Sequence, residues 1–154
     1  MADRWLEWGF RLEILTVSWL HSSDDEGYQA MIRILLAEDD QVMREYLTRA
    51  LQKSGYAVTA VDRGTAALPL IRTESFDLLL TDIVMPEMDG IELAQRAGEL
   101  SPNLRVMFIT GFAAVTLKAG KAMPNARVLS KPFHLRDLVA EVDRLFETNL
   151  AGLN

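Results

Sequence analysis

The side chains best suited to chemistry in this sequence lie where short apolar runs end. They are the carboxylates of Glu38, Asp39, Asp40 and Asp82, the hydroxyl of Thr110 and the amine of Lys131. Carboxylates that are held close together repel one another and need a cation. Oxygen ligands favour a hard ion such as Mg²⁺, which binds few carboxylates together with phosphate oxygens. A hydroxyl donor and an ammonium group beside that ion would complete a site for a phosphoryl group.

No loop in the sequence has the glycine spacing that holds a nucleotide, since both the Gly-x-x-x-x-Gly-Lys-Ser/Thr and the Gly-x-Gly-x-x-Gly patterns are absent. A metal site and a phosphoryl site without a nucleotide cradle indicate that a carboxylate itself accepts the phosphoryl group. Each residue also has a structural interpretation. Asp40 is expected to cap a helix, Thr110 could be an ordinary strand-end hydroxyl, and Lys131 could be a surface lysine.

The apolar runs and the segments between them predict an α/β fold. Predicted strands and helices alternate along the chain. The strands are Ile32–Ala37, Tyr56–Val61, Asp77–Asp82, Leu104–Thr110 and Ala126–Ser130. The helices are Gln41–Ser54, Thr65–Thr73, Asp89–Leu100, Phe112–Ala122 and a last one with an apolar stripe from Leu135 to Leu150. Pro69 is expected to bend or shorten the second helix.

Five such units with right-handed crossovers predict a doubly wound five-stranded parallel sheet with helices on both faces. The first, third and fourth strands are apolar at successive residues, which indicates that both of their faces are covered. All strands of a parallel sheet end at the same edge, where ligands bind. The candidate residues are therefore expected to converge there. The second strand offers less chemistry at its end, which suits an edge position.

Composition limits the possible partners. The chain has 154 residues, of which 49% are hydrophobic and 25% charged, and this fits a globular domain. A net charge of −6 disfavours nucleic acid as the main partner. No cysteine is present, so disulfides, iron–sulfur clusters and cysteine-rich zinc sites are excluded. No apolar stretch approaches the length of a membrane span, so no membrane partner is expected and a cytoplasmic location fits.

Four motifs resemble the receiver domain of bacterial two-component response regulators. They are Ile34-Leu-Leu-Ala-Glu-Asp-Asp40, Leu79-Leu-Thr-Asp-Ile-Val-Met-Pro-Glu-Met-Asp-Gly90, Ile109-Thr-Gly111 and Ser130-Lys-Pro-Phe133. The resemblance covers about residues 31–148. It implies a flavodoxin-like or CheY-like fold with strand order 2-1-3-4-5.

The resemblance also implies roles for individual residues. Asp82 would be the phosphoacceptor and Asp39 a direct ligand of Mg²⁺. Glu38 would bind the metal or its water, and the backbone carbonyl of Val84 would complete the metal contacts.

Two further residues would contact the phosphoryl group. Thr110 would bind it and move when it arrives, and Lys131 would pair with one of its oxygens. The Lys131–Pro132 peptide bond would be cis, as is usual in this family.

The sequence departs from the family pattern at three positions. Many receivers have an aromatic residue where this chain has Val128, and we hypothesise that Phe112 replaces it as the mobile aromatic. Val84 and Phe112 flank the site and are apolar, so neither can orient an attacking water. Slow self-dephosphorylation is therefore expected, and the protein is expected to act as a phosphoacceptor switch rather than as an enzyme.

Too few residues follow position 148 for an output domain, so a stand-alone receiver is expected. It would take its phosphoryl group from a histidine kinase or a histidine phosphotransferase. Its output would be a surface around 112–121 and 134–145 that binds a protein partner. The Ala37–Asp40 and Thr110–Ala113 stretches resemble the CpdR type of alphaproteobacteria, which controls substrate delivery to the ClpXP protease.

Three alternatives remain open at the sequence level. One is a phosphorelay shuttle that passes the group to a histidine phosphotransferase. Another is a Mg²⁺-dependent phosphatase of the haloacid-dehalogenase type, although Val84 stands where that chemistry wants a second aspartate. The third is a flavodoxin-like small-molecule module, which the repulsion between carboxylates and a flavin phosphate disfavours.

Residues 1–30 form a separate segment that holds all three tryptophans and carries six acidic and two basic side chains. Apolar spacing predicts an amphipathic helix from about Asp3, while a strand stays possible. The segment is either an arm that docks on a partner or an extension upstream of a natural start at Met31. The second interpretation is favoured because a strand follows Met31 at once. Residues 149–154 are expected to form a short tail.

Overall fold

The structure is a computed structural model that describes residues 31–151. The segment 1–30, with its predicted helix or strand, and residues 152–154 lie outside the described residues. Strands and helices alternate, with the strands β1 (Arg33–Ala37), β2 (Ala57–Val61), β3 (Leu78–Asp82), β4 (Arg105–Thr110) and β5 (Arg127–Ser130). The helices are α1 (Gln41–Lys53), α2 (Gly64–Thr73), α3 (Gly90–Leu100), α4 (Ala113–Ala122) and α5 (Leu135–Ala151). The last helix thus extends three residues past position 148.

The five strands form one parallel sheet in the order β2-β1-β3-β4-β5. This confirms the predicted fold class and strand order. β3 lies at the centre and is buried along its whole length. β2 and β5 are the edges, and their residues are mostly half-buried. The central strands are apolar at successive positions because helices cover both faces of the sheet.

Each face of the sheet has its own apolar core. On one face, Leu35, Leu79 and Phe108 pack with residues of α2 and α3 such as Ala67 and Ala94. On the other face, the core contains residues of β1, β3 and β4 together with residues of α1 and α5, and its members include Leu36, Leu80, Met107, Leu47 and Leu138. The strands alternate between these cores residue by residue, which fixes their register.

Helix ends follow local side-chain chemistry. Asp40 caps α1, because its Oδ1 accepts a hydrogen bond from the backbone N–H of Met43 at 2.9 Å. Asp89 caps α3 in the same way, at 2.8 Å from the N–H of Glu92. Such caps satisfy backbone donors that have no partner within the helix. The capping role expected for Asp40 is therefore what the structure shows.

Helix α2 is not shortened by Pro69. It runs from Gly64 to Thr73 and continues past the proline for four residues. Proline removes one backbone donor, here the one that would pair with the carbonyl of Thr65. The hydroxyl of Thr73 donates to the Pro69 carbonyl at 3.2 Å and so supports the last turn.

Helix α4 is the least buried helix whose packing is described, since Ala119 is its one fully buried residue. Leu117 on its outer face is 71% exposed. None of the helices among the described residues is long and apolar enough to cross a membrane.

Gly90 joins the start of α3 closely to the end of β3. Its N–H donates to the carbonyl of Ile83 at 2.8 Å. A Cβ atom on this residue would lie 2.1 Å from the carbonyl oxygen of Asp82, which is far inside contact distance. The absence of a side chain therefore allows the helix and the strand end to touch.

We expect Gly90→Ala to lower the free energy of unfolding by about 1–3 kcal/mol, because the strand end and the helix must separate. Gly98→Ala is the matched control, since a Cβ on Gly98 meets no atom within 4 Å. That variant should be more stable by about 0.5–1 kcal/mol, because alanine favours the helix. Urea unfolding of both variants measures the difference. Equal stability of the two would contradict the close approach.

Candidate functional site

The candidate residues lie together at the edge where the parallel strands end. Glu38 and Asp39 follow β1, and Asp82 is the last residue of β3. Thr110 ends β4, and Lys131 follows β5. The strand register aligns these ends, because Asp82 pairs with Ile109, the residue before Thr110. The structure thus gathers side chains that are up to 93 positions apart in the sequence.

Three carboxylates form the centre of the site. One oxygen each from Glu38, Asp39 and Asp82 lie within 4.8 Å of one another. Their environments differ, since the Glu38 side chain is 1% exposed, the Asp82 side chain 11% exposed, and Asp39 lies at the surface. The site therefore opens to solvent on the side of Asp39.

Lys131 places its ammonium group against the two buried carboxylates. Its Nζ lies 3.1 Å from Oδ2 of Asp82 and 3.5 Å from Oε2 of Glu38. The backbone N–H of Lys131 donates to the carbonyl of Thr110 at 2.8 Å, which ties this residue to the end of β4. The Lys131–Pro132 peptide bond is cis.

Burial and neighbouring charges shift the pKa values of Glu38 and Lys131. Burial first, and then the charge of Asp82, raise the pKa of Glu38 to about 7, although the N–H of Asp40 and the charge of Lys131 oppose the shift. Burial would lower the pKa of Lys131, but the hydrogen bond and charge of Asp82, followed by Glu38, raise it above its usual value. One ammonium group therefore leaves the cluster short of positive charge.

This donor set fits a hard divalent cation. The donors are carboxylate oxygens, they converge within a few ångströms, and part of the group faces solvent where water can complete the coordination. Mg²⁺ binds in this way, through few carboxylates and several waters. A cation with two charges would also relieve the repulsion from Asp82, which adds to the effect of burial in raising the pKa of Glu38.

Thr110 is buried, at 1% exposure, and its Oγ1 accepts a hydrogen bond of 3.2 Å from the N–H of Phe112. A hydroxyl that accepts one bond still has its own O–H to donate. Phe112 precedes α4 and is 60% exposed, and Val84 is 48% exposed. Each of these apolar residues follows a site residue by two positions, Asp82 or Thr110, and both expose their side chains to solvent.

Two contacts that position the loops of the site were not predicted from the sequence. In the first, Arg44 of α1 donates to the carbonyl oxygens of Glu38 and Asp39 at 2.9 and 3.4 Å. The signal for it was the position of an arginine in the first turn of the helix that follows the acidic residues.

The second missed contact involves Glu87, which has a left-handed backbone with φ of 70°. Its carboxylate accepts from the Thr65 hydroxyl at 3.2 Å and lies 3.8 Å from the Arg63 guanidinium. These contacts connect the loop after β3 to the start of α2. Nothing in the local sequence around Glu87 predicted the partner residues.

Comparison with known proteins agrees with this geometry. The model of the response regulator receiver domain family matches residues 34–143. The chain is 61% identical over 116 residues to the response regulator receiver protein CpdR of Brucella abortus strain 2308, which covers 75% of this chain and 97% of CpdR.

Solved structures agree as well. A CheY-like receiver domain protein of Methanospirillum hungatei JF-1 matches with a TM-score of 0.73 and 28% identity, over 80% of this chain and 99% of that one. Response regulator protein TrrA of Thermotoga maritima, solved in complex with Mg²⁺–BeF, matches with a TM-score of 0.65 and 28% identity. That match covers 75% of this chain and 99% of TrrA.

Proposed function

The chain belongs to the response regulator receiver domain family, and from that premise we propose that it is a phosphoacceptor switch whose acceptor is Asp82. The donor would be a histidine kinase or a histidine phosphotransferase of a two-component system. The observation that carries the proposal is the contact of Lys131 with Asp82 inside the group of three carboxylates. This function would place the protein in the cytoplasm, where phosphoryl donors derived from ATP are found.

The transfer step follows from the groups present. A carboxylate oxygen of Asp82 attacks phosphorus, the bond between phosphorus and the donor's imidazole nitrogen breaks, and the electron pair stays on the imidazole. The ammonium group of Lys131 offsets charge on the phosphoryl oxygens. Thr110 donates its hydroxyl to another of these oxygens. The carboxylates of Glu38, Asp39 and Asp82 and the carbonyl of Val84 would hold Mg²⁺, which neutralises phosphoryl charge when bound.

The same residues argue against a phosphatase. Turnover of an aspartyl-phosphate needs a group that activates water or protonates a leaving group. Val84, two residues after Asp82, cannot do either. A phosphorylated Asp82 would therefore persist, which suits a switch.

Phosphorylation of Asp82 would change the position of α4 through Thr110. If the Thr110 hydroxyl turns to the phosphoryl group, the N–H of Phe112 loses its present acceptor. Phe112 also holds the start of α4, since its carbonyl accepts from the N–H groups of Val115 and Thr116 at 3.1 and 3.2 Å. A shift of Phe112 would thus move α4 and the surface around 112–121 and 134–145.

The identity to CpdR supports a finer proposal about output. Through this surface the protein would bind a ClpXP-type protease and so control the delivery of substrates to it. A phosphorelay shuttle is the alternative within the same family, and it would use the same site to pass the group to a histidine phosphotransferase.

We expect acetyl phosphate and Mg²⁺ to add one phosphoryl group to the protein and none to Asp82→Asn, because the amide cannot act as the nucleophile. Intact mass spectrometry gives the result directly. Asp77→Asn, at the residue directly before β3, is the matched control and should be labelled like the wild type. An adduct that survives in Asp82→Asn, or no adduct on the wild type, would contradict the proposal.

We expect the Phe112 ring to change position when the phosphoryl group arrives, because Thr110 then moves toward that group and its Oγ1 leaves the Phe112 N–H. Crystal structures of the protein with and without Mg²⁺ and beryllium fluoride would show this. A ring in the same place in both structures would refute the assignment of Phe112 as the mobile aromatic.

We expect Val84→Asn and Phe112→Glu to shorten the lifetime of the phosphorylated protein by about tenfold or more, since a polar group at either position can orient a water. The measurement is the decay of the phosphorylated mass with time. Leu117→Glu, which adds the same charge to an exposed position of α4, should leave the lifetime unchanged. Wild-type lifetimes in both site variants would count against the tuning role.

A further inference from the structure

The Arg44 side chain donates hydrogen bonds to the backbone of the acidic loop, which we define as Glu38 to Asp40. It lies in the first turn of α1 and is half-buried. One guanidinium nitrogen, Nη1, donates to the Glu38 carbonyl at 2.9 Å and to the Asp39 carbonyl at 3.4 Å. Hydrogen bonds from a charged donor are stronger than those between neutral groups. The bonds therefore restrain the two residues that carry carboxylates of the site.

The other hydrogen bonds described for the acidic loop do not use the carbonyls of Glu38 and Asp39. The Glu38 N–H donates to the Val61 carbonyl at 3.1 Å, and the Asp40 N–H donates to Oε1 of Glu38 at 3.2 Å. The Asp40 carboxylate and carbonyl both serve α1, through the N–H groups of Met43 and Arg44. Within the described residues, Arg44 is thus the side chain bonded to the carbonyls of Glu38 and Asp39.

Two physical effects of Arg44 on a bound cation have opposite signs. Its positive charge is bonded to the loop that carries two of the carboxylates and repels Mg²⁺, so charge alone predicts that removing it would strengthen binding. Its hydrogen bonds hold the ligand-bearing loop in place, so positioning predicts that removing it would weaken binding. Partners that orient metal ligands typically contribute about tenfold or more to metal affinity.

We propose that Arg44 is a positioning residue, which holds the Glu38 and Asp39 backbone so that their carboxylates converge with Asp82 on a divalent cation. The inference rests on the proposed function, since it takes the three carboxylates to be the Mg²⁺ site. It adds a residue outside the ligand set whose contribution is geometric and works against its own charge.

The first experiment measures Mg²⁺ affinity by calorimetry. We expect Arg44→Met to bind Mg²⁺ about tenfold more weakly than the wild type. Arg44→Lys keeps the charge and a donor nitrogen, so it should recover part of the affinity. Arg49→Met is the matched control, because Arg49 lies on the same helix and makes an exposed ion pair with Glu45 at 4.0 Å. It removes the same charge and should bind Mg²⁺ like the wild type.

The second experiment needs no metal. Amide hydrogen exchange in EDTA should be about tenfold faster at Asp40 in Arg44→Met, because the loop opens more readily. The amide of Leu47, buried in the middle of α1, should exchange as in the wild type. That contrast separates local loosening of the acidic loop from a general loss of stability.

Unchanged or tighter Mg²⁺ binding in Arg44→Met would overturn the proposal, and so would unchanged exchange at Asp40. If the proposed function is wrong, the result is different. The wild type itself will then bind no Mg²⁺, or will bind it no more tightly than Asp39→Asn, a variant that lacks one of the carboxylates. In that case the exchange experiment still decides whether Arg44 holds the acidic loop.

Discussion

The buried carboxylates Glu38 and Asp82 share the single ammonium group of Lys131, and the rest of the structure serves to hold these three groups together. Left to themselves, the two like-charged acids would move apart. They stay in contact because each is attached to the end of a strand in a sheet whose register is fixed by two apolar cores. The free energy that sustains an unfavourable local charge arrangement therefore comes from the packing of the whole domain.

Much of this arrangement could be predicted from the sequence. Short apolar runs predict the strands of the sheet. The polar residues at the ends of these runs predict the edge where Asp82, Thr110 and Lys131 meet. The Asp40 cap was equally accessible, because capping depends on residues three positions apart. These features are local, or follow from the rule that parallel strands end on one side.

Other features depend on the exact course of the backbone and not on residue type alone. The bonds from Arg44 to two carbonyls need the exact direction in which α1 leaves the acidic loop. The left-handed backbone of Glu87 is supported by Thr65, which is 22 positions away. Pro69 suggested a shorter α2, but the bond it removes is one of several and the packing of Ala67 and Ile71 continues across it. For Glu87 and Pro69, tertiary contacts outweigh a local preference.

Because α4 packs shallowly on the core, most of its positions can change during evolution. Its single fully buried side chain, Ala119, leaves nearly all other positions of the helix free of the core. Substitutions on that outer surface cost little folding stability and do not reach the carboxylates. If α4 carries the proposed partner surface, related chains could exchange one partner for another by changing α4 alone and keep the residues of the carboxylate site.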